Sequence, residues 1–219
     1  MKTIHDVRES FSLEKFLEAR RLTKEAVKVV SQNVFVGMTE TDGHKIIDET
    51  LEKMGAQKKW HPNKFRIGHN TTKSFRDLSD VNICLAQNDI YFIDIGPVWD
   101  NHEGDYGETF VVGENETLNR LREDTKIVFE KTAAAWKEEK LSGRKLYDYA
   151  RECARSHGHS LNERMKGHRV GDFPHHLFYK GGMSEIDETP CDNLWILEIH
   201  LITKDSLYGG FYEDILKDR

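Results

Sequence analysis

The fold of this chain is decided by residues 89–113, which read DIYFIDIGPVWDNHEGDYGETFVVG. The stretch opens on an apolar run, 90–95, that contains one carboxylate, Asp94. A second apolar run, 109–112, follows after a polar segment that contains Asp105. Two short apolar runs separated by turn-forming residues predict two antiparallel strands joined by a polar connection.

Asp94 and Asp105 are separated by eleven positions, one in the first run and one between the runs. If the strands pair, the two carboxylates can lie side by side across the ladder, where opposed side chains are ~5 Å apart. Two anionic carboxylates that close repel each other, so they require a proton or a cation between them. The alternative is a plain hairpin with Asp105 solvated in its loop, which an Asp-x-Gly at a strand end favours by itself.

Length, charge and cysteine content bound the class of protein. The 219 residues suffice for one large domain, and the net charge of -6 argues against a protein that coats nucleic acid. No apolar run approaches the ~20 residues that cross a bilayer, and the N-terminus has no apolar signal core. Cys84, Cys153 and Cys191 are widely spaced and odd in number, which is typical of reduced thiols. We therefore expect a cytoplasmic protein, with neither nucleic acid nor a membrane as partner.

Helical signals occur in two pairs. A helix capped by Ser12 should run to near Gln32, and a second should span about 41–54. A long helix at about 116–139 and a shorter one at about 145–157 follow the central stretch.

The order of elements is thus repeated: a long helix, a short break, a shorter helix that ends before glycine, then strands. We predict one domain, 1–219, built from two related halves, with 1–12 as an N-terminal extension. Further short strands are predicted at 59–67 and 81–85, although Pro62 disfavours the first.

Three polar side chains stand out in the second half. Two glycines frame His168 in GHRVG, residues 167–171, which gives the imidazole room to face a ligand. Glu198 is central in the apolar run 194–202, where a carboxylate is costly unless it is paired or metal-bound. Glu213 lies on a predicted terminal strand. The alternative for His168 is a surface loop that happens to contain histidines. The alternative for Glu198 is an edge strand on which this side chain faces water.

Two aspartates, one histidine and two glutamates make a donor set in which hard oxygen ligands dominate. Such a set suits two divalent ions bridged by carboxylates, with Mn, Co, Fe or Zn as candidates. A closed structural zinc site would use cysteines, and none is suitably placed. Two ions that share carboxylates can hold a bridging hydroxide and polarise a carbonyl, which indicates metal-assisted hydrolysis of an amide.

With these motifs the chain resembles the pita-bread-fold metallopeptidases, which include methionine aminopeptidases, Xaa-Pro aminopeptidases and prolidases. The segment 93–96 is similar to their first-Asp strand, 104–110 to their second-Asp segment, and 167–171 to their Gly-His-Gly-Ile-Gly motif. Glu198 and Glu213 match the two late glutamates. The resemblance extends from Leu13 to the end of the chain.

The resemblance implies an α+β pita-bread (creatinase/aminopeptidase) fold, with duplicated helix-helix-strand halves around a curved antiparallel sheet. It also implies two metal ions. Asp94 would chelate one ion and His168 would bind the other, whereas Asp105 and Glu213 would bridge both. Glu198 would be a ligand and the proton shuttle.

The resemblance assigns further histidines to the substrate. His175 falls where the family keeps a substrate-contacting histidine, so it would donate a hydrogen bond to the substrate carbonyl or to the tetrahedral oxygen. Substitution of the neighbouring His176 should have little effect on activity. Before the first Asp the family has another histidine, and the best register places Phe75 there. His69, six residues earlier, would substitute as a substrate contact or be a plain loop histidine.

The function implied is a dinuclear-metal-dependent, aminopeptidase-like hydrolase that cleaves an N-terminal residue or an Xaa-Pro bond of a peptide substrate. The chain resembles methionine aminopeptidases in size and the Xaa-Pro branch around Asp105, so the resemblance does not decide between these substrates. It also leaves open whether the protein forms a homodimer. One alternative is a peptide- or protein-binding member that has lost the chemistry, which Phe75 would suit. Another is a hydrolase of a small amide or amidine.

Overall fold

The computed structural model describes residues 3–218, except for the side chain of His175. Four α-helices lie within this range, in two consecutive pairs. They are α1 (Leu13–Ser31), α2 (Glu40–Lys53), α3 (Glu116–Glu139) and α4 (Gly143–Ser156). None of the helices in the described range is both long and apolar enough to cross a membrane.

The strands follow each helix pair. They are β1 (Lys58–Lys59), β2 (Lys64–Ile67), β3 (Asp89–Ile95), β4 (Pro97–Trp99), β5 (His102–Glu103), β6 (Tyr106–Val112), β7 (Ser160–Leu161), β8 (His168–Arg169), β9 (Trp195–Ile202) and β10 (Gly209–Ile215). The main sheet has the order β2-β3-β6-β10-β9-β7, with β8 also paired to β9, and its ladders are antiparallel. A small second sheet has the order β1-β4-β5.

The helix starts follow from local capping, which was predicted for α1 but not for α2. The Ser12 hydroxyl accepts a hydrogen bond from the backbone N–H of Lys15 at the start of α1. Thr39 and Asp42 form a capping box at the start of α2, each side chain accepting from the backbone N–H of the other. These contacts satisfy N–H groups that have no partner within the helix.

The core lies between the helices and one face of the main sheet. Residues of all four helices share one buried cluster with alternate residues of the long strands, among them Ile93 of β3 and Leu197 of β9. In β9, Trp195, Leu197, Ile199 and Leu201 are all in this cluster, because alternate side chains of a strand lie on the same face. Consequently Asp94 and Glu198, which alternate with these residues, project from the opposite face.

Two strand predictions are wrong in detail. The predicted strand 59–67 is divided into β1 and β2 by a loop that contains Pro62, which has no N–H to donate to a ladder. The segment 81–85 is not a strand, and only a single bridge joins Cys84 to Thr39. In addition, the connection between β3 and β6 is not merely a polar loop, since it contains β4 and β5.

An ion pair fastens α1 to the last strand of the sheet. Both nitrogens of the Arg20 fork donate to the Asp214 carboxylate, at 2.5 Å each, and Lys24 Nζ lies 3.0 Å from the same group. Asp214 is buried and directly follows Glu213 in β10. The pair therefore fixes the position of the strand segment that presents Glu213.

Replacing Arg20 should destabilise the fold. Arg20→Met leaves the buried Asp214 carboxylate with Lys24 as its remaining cationic partner. We therefore expect the free energy of unfolding to fall by roughly 2 kcal/mol, which is less than the ~3–5 kcal/mol lost when a fully buried pair is broken. Urea denaturation with a chelator present measures this. Arg21→Met is the matched control, because Arg21 pairs with Glu18 and Glu25 on the exposed surface of the same helix. Equal losses in both variants would contradict the assigned role of Arg20.

Candidate metal centre

The register of the main sheet places three carboxylates in one row. Asp94 of β3 is opposite Gly107 of β6, Gly107 is opposite Glu213 of β10, and Glu213 is opposite Glu198 of β9. The glycine keeps the row open, since a Cβ there would lie 3.1 Å from Glu213 Oε1 and 2.5 Å from the Phe211 ring. A side chain at position 107 would fill the space between the acidic groups.

Asp105 and His168 lie beside this row. Asp105 comes just before β6, and His168 of β8 is opposite Ile196, two residues from Glu198 along β9. His168 Nε2 lies 3.4 Å from Asp105 Oδ2 and 3.7 Å from Glu198 Oε1. The structure thus brings together all five side chains predicted as ligands.

The two aspartates meet in a different way from the one expected. They were predicted to lie opposite each other across the ladder, but Asp94 is opposite Gly107 and the ladder ends at the pair Ile95–Tyr106. Asp105 therefore reaches Asp94 from beyond the end of the ladder, because β4 and β5 turn the intervening chain back.

A sixth side chain, His61, reaches the same place and was not predicted. Its Nε2 lies 3.4 Å from Asp105 Oδ1 and 3.7 Å from Asp94 Oδ1, and its ring meets Phe75 edge-on at 5.3 Å. The only local signal was the His-Pro step inside the predicted strand 59–67. Two groups of potential ligands result, His61 with Asp94 and Asp105, and His168 with Glu198 and Glu213.

Burial and neighbouring charges shift the pKa values of the four acidic side chains away from those of solvated groups. Burial raises the pKa of Glu213 well above its usual value, and the neighbouring carboxylates Asp94, Asp105 and Glu198 raise it further. Burial also raises the pKa of Glu198 and of Asp94. For Asp105, burial acts in the same direction, but the hydrogen bond and charge of His61 hold its pKa below the usual value.

His61 has the opposite balance. Burial disfavours its charged form, but the carboxylates of Asp94 and Asp105 outweigh burial and raise the pKa of His61 to about 10. Without a metal ion, protons and this imidazolium therefore offset the negative charge of the cluster.

The donor groups fit divalent metal ions. Among the described residues, Asp105 Oδ2 and Glu213 Oε1 are buried and accept no hydrogen bond, although buried carboxylate oxygens ordinarily have partners. Carboxylates from two Asp and two Glu together with imidazole suit Mn, Fe, Co or Zn, while Ca and Mg prefer all-oxygen sites. The unsatisfied oxygens are thus ready-made ligand positions.

A half-open cavity of about 230 Å³ lies over the cluster. Its lining combines side chains that can bind metal, aromatic rings and the guanidinium group of Arg76. The lining residues are Trp60, His61, Phe75, Arg76, Asp94, His168, His176, Glu198 and Glu213. A small ligand with a polar group could contact the cluster while its apolar part packs against the aromatic rings.

The remaining predicted histidines have different positions. His69 is not in the cavity: its side chain is 58% exposed and its Nε2 lies 3.9 Å from Asp80 at the surface. The side chain of His175 is outside the described part of the structure, and its backbone belongs to the 3-10 helix His175–Leu177. His176, whose substitution was expected to have little effect on activity, lines the cavity, and its ring lies 5.4 Å from that of Trp60.

Sequence comparison identifies the protein family and a curated relative. The model of metallopeptidase family M24 matches residues 14–201. A methionine aminopeptidase of Aquifex aeolicus is 25% identical over 174 residues, which cover 73% of this chain and 66% of that protein.

Solved structures extend the comparison to the fold. An X-Pro aminopeptidase of Thermotoga maritima superposes with a TM-score of 0.77 at 19% identity, covering 94% of this chain and 62% of that one. A methionine aminopeptidase of the same organism gives a TM-score of 0.74 at 18% identity, with full coverage of both chains. The predicted pita-bread fold is confirmed. This chain spans less than two thirds of the X-Pro aminopeptidase and about two thirds of the Aquifex protein.

Neutralising Glu213 should stabilise the metal-free protein. An acid with a raised folded-state pKa binds more protons folded than unfolded, so its contribution to stability falls as pH rises above the unfolded value of 4.5. In chelator, Glu213→Gln should therefore melt at a higher temperature than wild type at about pH 7, and the difference should shrink toward about pH 5. Differential scanning fluorimetry across pH measures this. Glu52→Gln, at an exposed position on α2, should show no such pH dependence.

Proposed function

We propose, because this chain belongs to metallopeptidase family M24, that it is an aminopeptidase-like hydrolase that uses two divalent ions. Its substrate would be a short peptide, from which it removes an N-terminal residue or cleaves an Xaa-Pro bond. The observation that carries this proposal is the cluster of Asp94, Asp105, His168, Glu198 and Glu213, of which all but Asp105 line one small cavity.

The proposed roles follow from the placement of each side chain. Two bound divalent ions would activate a water molecule and polarise the scissile carbonyl. Asp105 lies between the two ligand groups, 3.4 Å from both His61 and His168, which suits a bridging position. Glu213 is opposite Glu198 and in the same row as Asp94, which suits a second bridge.

Glu198 is held so that one oxygen stays available to the reaction. Its Oε2 accepts a hydrogen bond from the backbone N–H of Gly167 at 2.8 Å, while Oε1 faces His168. A carboxyl fixed through one oxygen can exchange a proton through the other without losing its orientation. This geometry supports the proposed role of Glu198 as ligand and proton shuttle.

The cavity favours a small substrate segment. Its volume of about 230 Å³ is below the ~300 Å³ of the smallest pockets that hold drug-sized ligands. Trp60 and Phe75 offer apolar contact to a substrate side chain, and the exposed Arg76 offers a positive charge. These features accommodate either methionine or proline, so both substrate classes belong in the first assay.

A binding protein without catalysis is the second candidate. Phe75 stands where the family resemblance leads one to expect histidine, and it lines the cavity. A protein that only binds peptides gains nothing from buried carboxylates, since their repulsion opposes folding unless a cation is bound. The second candidate therefore predicts peptide binding with no turnover under any metal.

Metal-dependent hydrolysis tests the proposal directly. Protein freed of metal by chelation and reloaded with Mn, Co, Fe or Zn should hydrolyse members of a panel of Met-initiated and Xaa-Pro peptides. Asp105→Asn should lose both bound ions and turnover, because a bridging ligand serves both sites. Asp100→Asn is the control, since Asp100 is a surface aspartate that pairs with Lys15. Retained metal content and turnover in Asp105→Asn would contradict the proposal.

Three histidine variants distinguish histidines that contact the substrate from those that do not. His175→Ala should lower kcat about a hundredfold with metal content intact, as expected for losing one donor to the developing oxyanion. His176→Ala should mainly raise KM, because a residue of the cavity wall contacts ground and transition states equally. His69→Ala should have little effect. Wild-type kcat in the His175 variant, or the largest kcat loss in the His69 variant, would overturn these assignments.

A further inference from the structure

The His61 ring is held in one position by its surroundings. A Cβ at Gly96 would lie only 2.6 Å from His61 Nε2, so the imidazole occupies space that a glycine leaves free. The Phe75 ring meets the other side of the imidazole edge-on, with the centroids 5.3 Å apart. The side chain is only 15% exposed. These contacts aim the ring at the carboxylates instead of leaving it mobile at the cavity edge.

The hydrogen bond on the far side of the ring selects a tautomer. Nδ1 lies 3.0 Å from the carbonyl oxygen of Pro62, and a carbonyl can only accept, so Nδ1 carries a hydrogen. In the neutral imidazole, Nε2 then has its lone pair directed toward Asp94 and Asp105. A backbone carbonyl that fixes Nδ1–H in this way is the usual support for a histidine that binds metal through Nε2.

Three electron-pair donors therefore converge at one point. Neutral His61 Nε2, Asp94 Oδ1 and Asp105 Oδ1 would leave lone pairs facing one another, which is unfavourable unless a proton or a cation lies between them. The equivalent arrangement on the other side of Asp105 is His168 with Glu198 and Glu213. The two halves of the cluster thus have one imidazole each.

We propose that His61 is a metal ligand, which completes the Asp94–Asp105 side of the centre with a nitrogen donor. The inference rests on the proposed use of metal ions and adds a sixth protein ligand from a segment outside the matched motifs. With one imidazole on each side, both positions would prefer transition metals such as Co or Zn over Mg, which takes oxygen ligands. In the competing arrangement, His61 stays doubly protonated as a fixed counter-ion.

Cobalt titration of the metal-free protein tests this. Isothermal titration calorimetry and the visible absorption of bound Co²⁺ should show two ions in wild type. His61→Ala should weaken one of the two sites by at least tenfold, since losing even a supporting group of a metal ligand typically costs ~10–100-fold in affinity. His44→Ala, at a partly buried histidine on α2, is the matched control and should bind as wild type does.

The outcomes separate this inference from the proposed function. Two tight sites in both wild type and His61→Ala would overturn the role of His61 and leave the dinuclear proposal standing. Absence of Co²⁺ binding by wild type would overturn both. If His61→Ala does not fold, the ¹⁵N resonance of His61 Nε2 in Zn²⁺-loaded wild type decides, because a ligating nitrogen carries no hydrogen. An Nε2 that remains protonated with Zn²⁺ bound would refute ligation.

Discussion

Mutual repulsion among four buried carboxylates is the constraint on which the rest of this structure depends. Asp94, Asp105 and Glu213 are each less than 5% exposed, and with Glu198 they face one another across the sheet. Burial and proximity both disfavour their ionised forms, so folding must supply compensating cations or protons. His61 can supply part of this compensation, because the carboxylates raise its pKa, and divalent ions would supply the rest.

The duplicated architecture provides the rigidity that such a cluster needs. Asp94 and Asp105 come from the segment that follows α1 and α2, whereas Glu198 and Glu213 come from the strands that follow α3 and α4. The pairing of β6 with β10 joins the two halves at Gly107, directly between the acidic groups. The centre therefore exists only when the halves are assembled, and any bound ion would stabilise that assembly by favouring the folded state.

His61 shows how one spatial role can be taken by another part of the chain. Phe75 occupies the place where the family resemblance predicts a histidine, yet an imidazole still lies beside the two aspartates, with its ring against Phe75. The aromatic side chain supports the imidazole and also forms part of the cavity wall. Phe75 therefore bears on both the proposed donor set and the wall of the proposed substrate cavity.

The amino-acid sequence alone determined those features that depend on neighbouring residues. The helix start at Ser12, the alternation along β9 and the motifs around Asp94, Asp105 and His168 are all local. The fold was predicted from the family resemblance that these motifs carry. Only the tertiary structure decided which distant side chains meet. His61 reaches Asp105 across 44 positions because Pro62 breaks a strand there. His69 is exposed because its side chain points outward from the 3-10 helix Gly68–Thr72, in which Gly68, Asn70 and Thr71 are buried. Such encounters depend on the path of the whole chain, which no local spacing encodes.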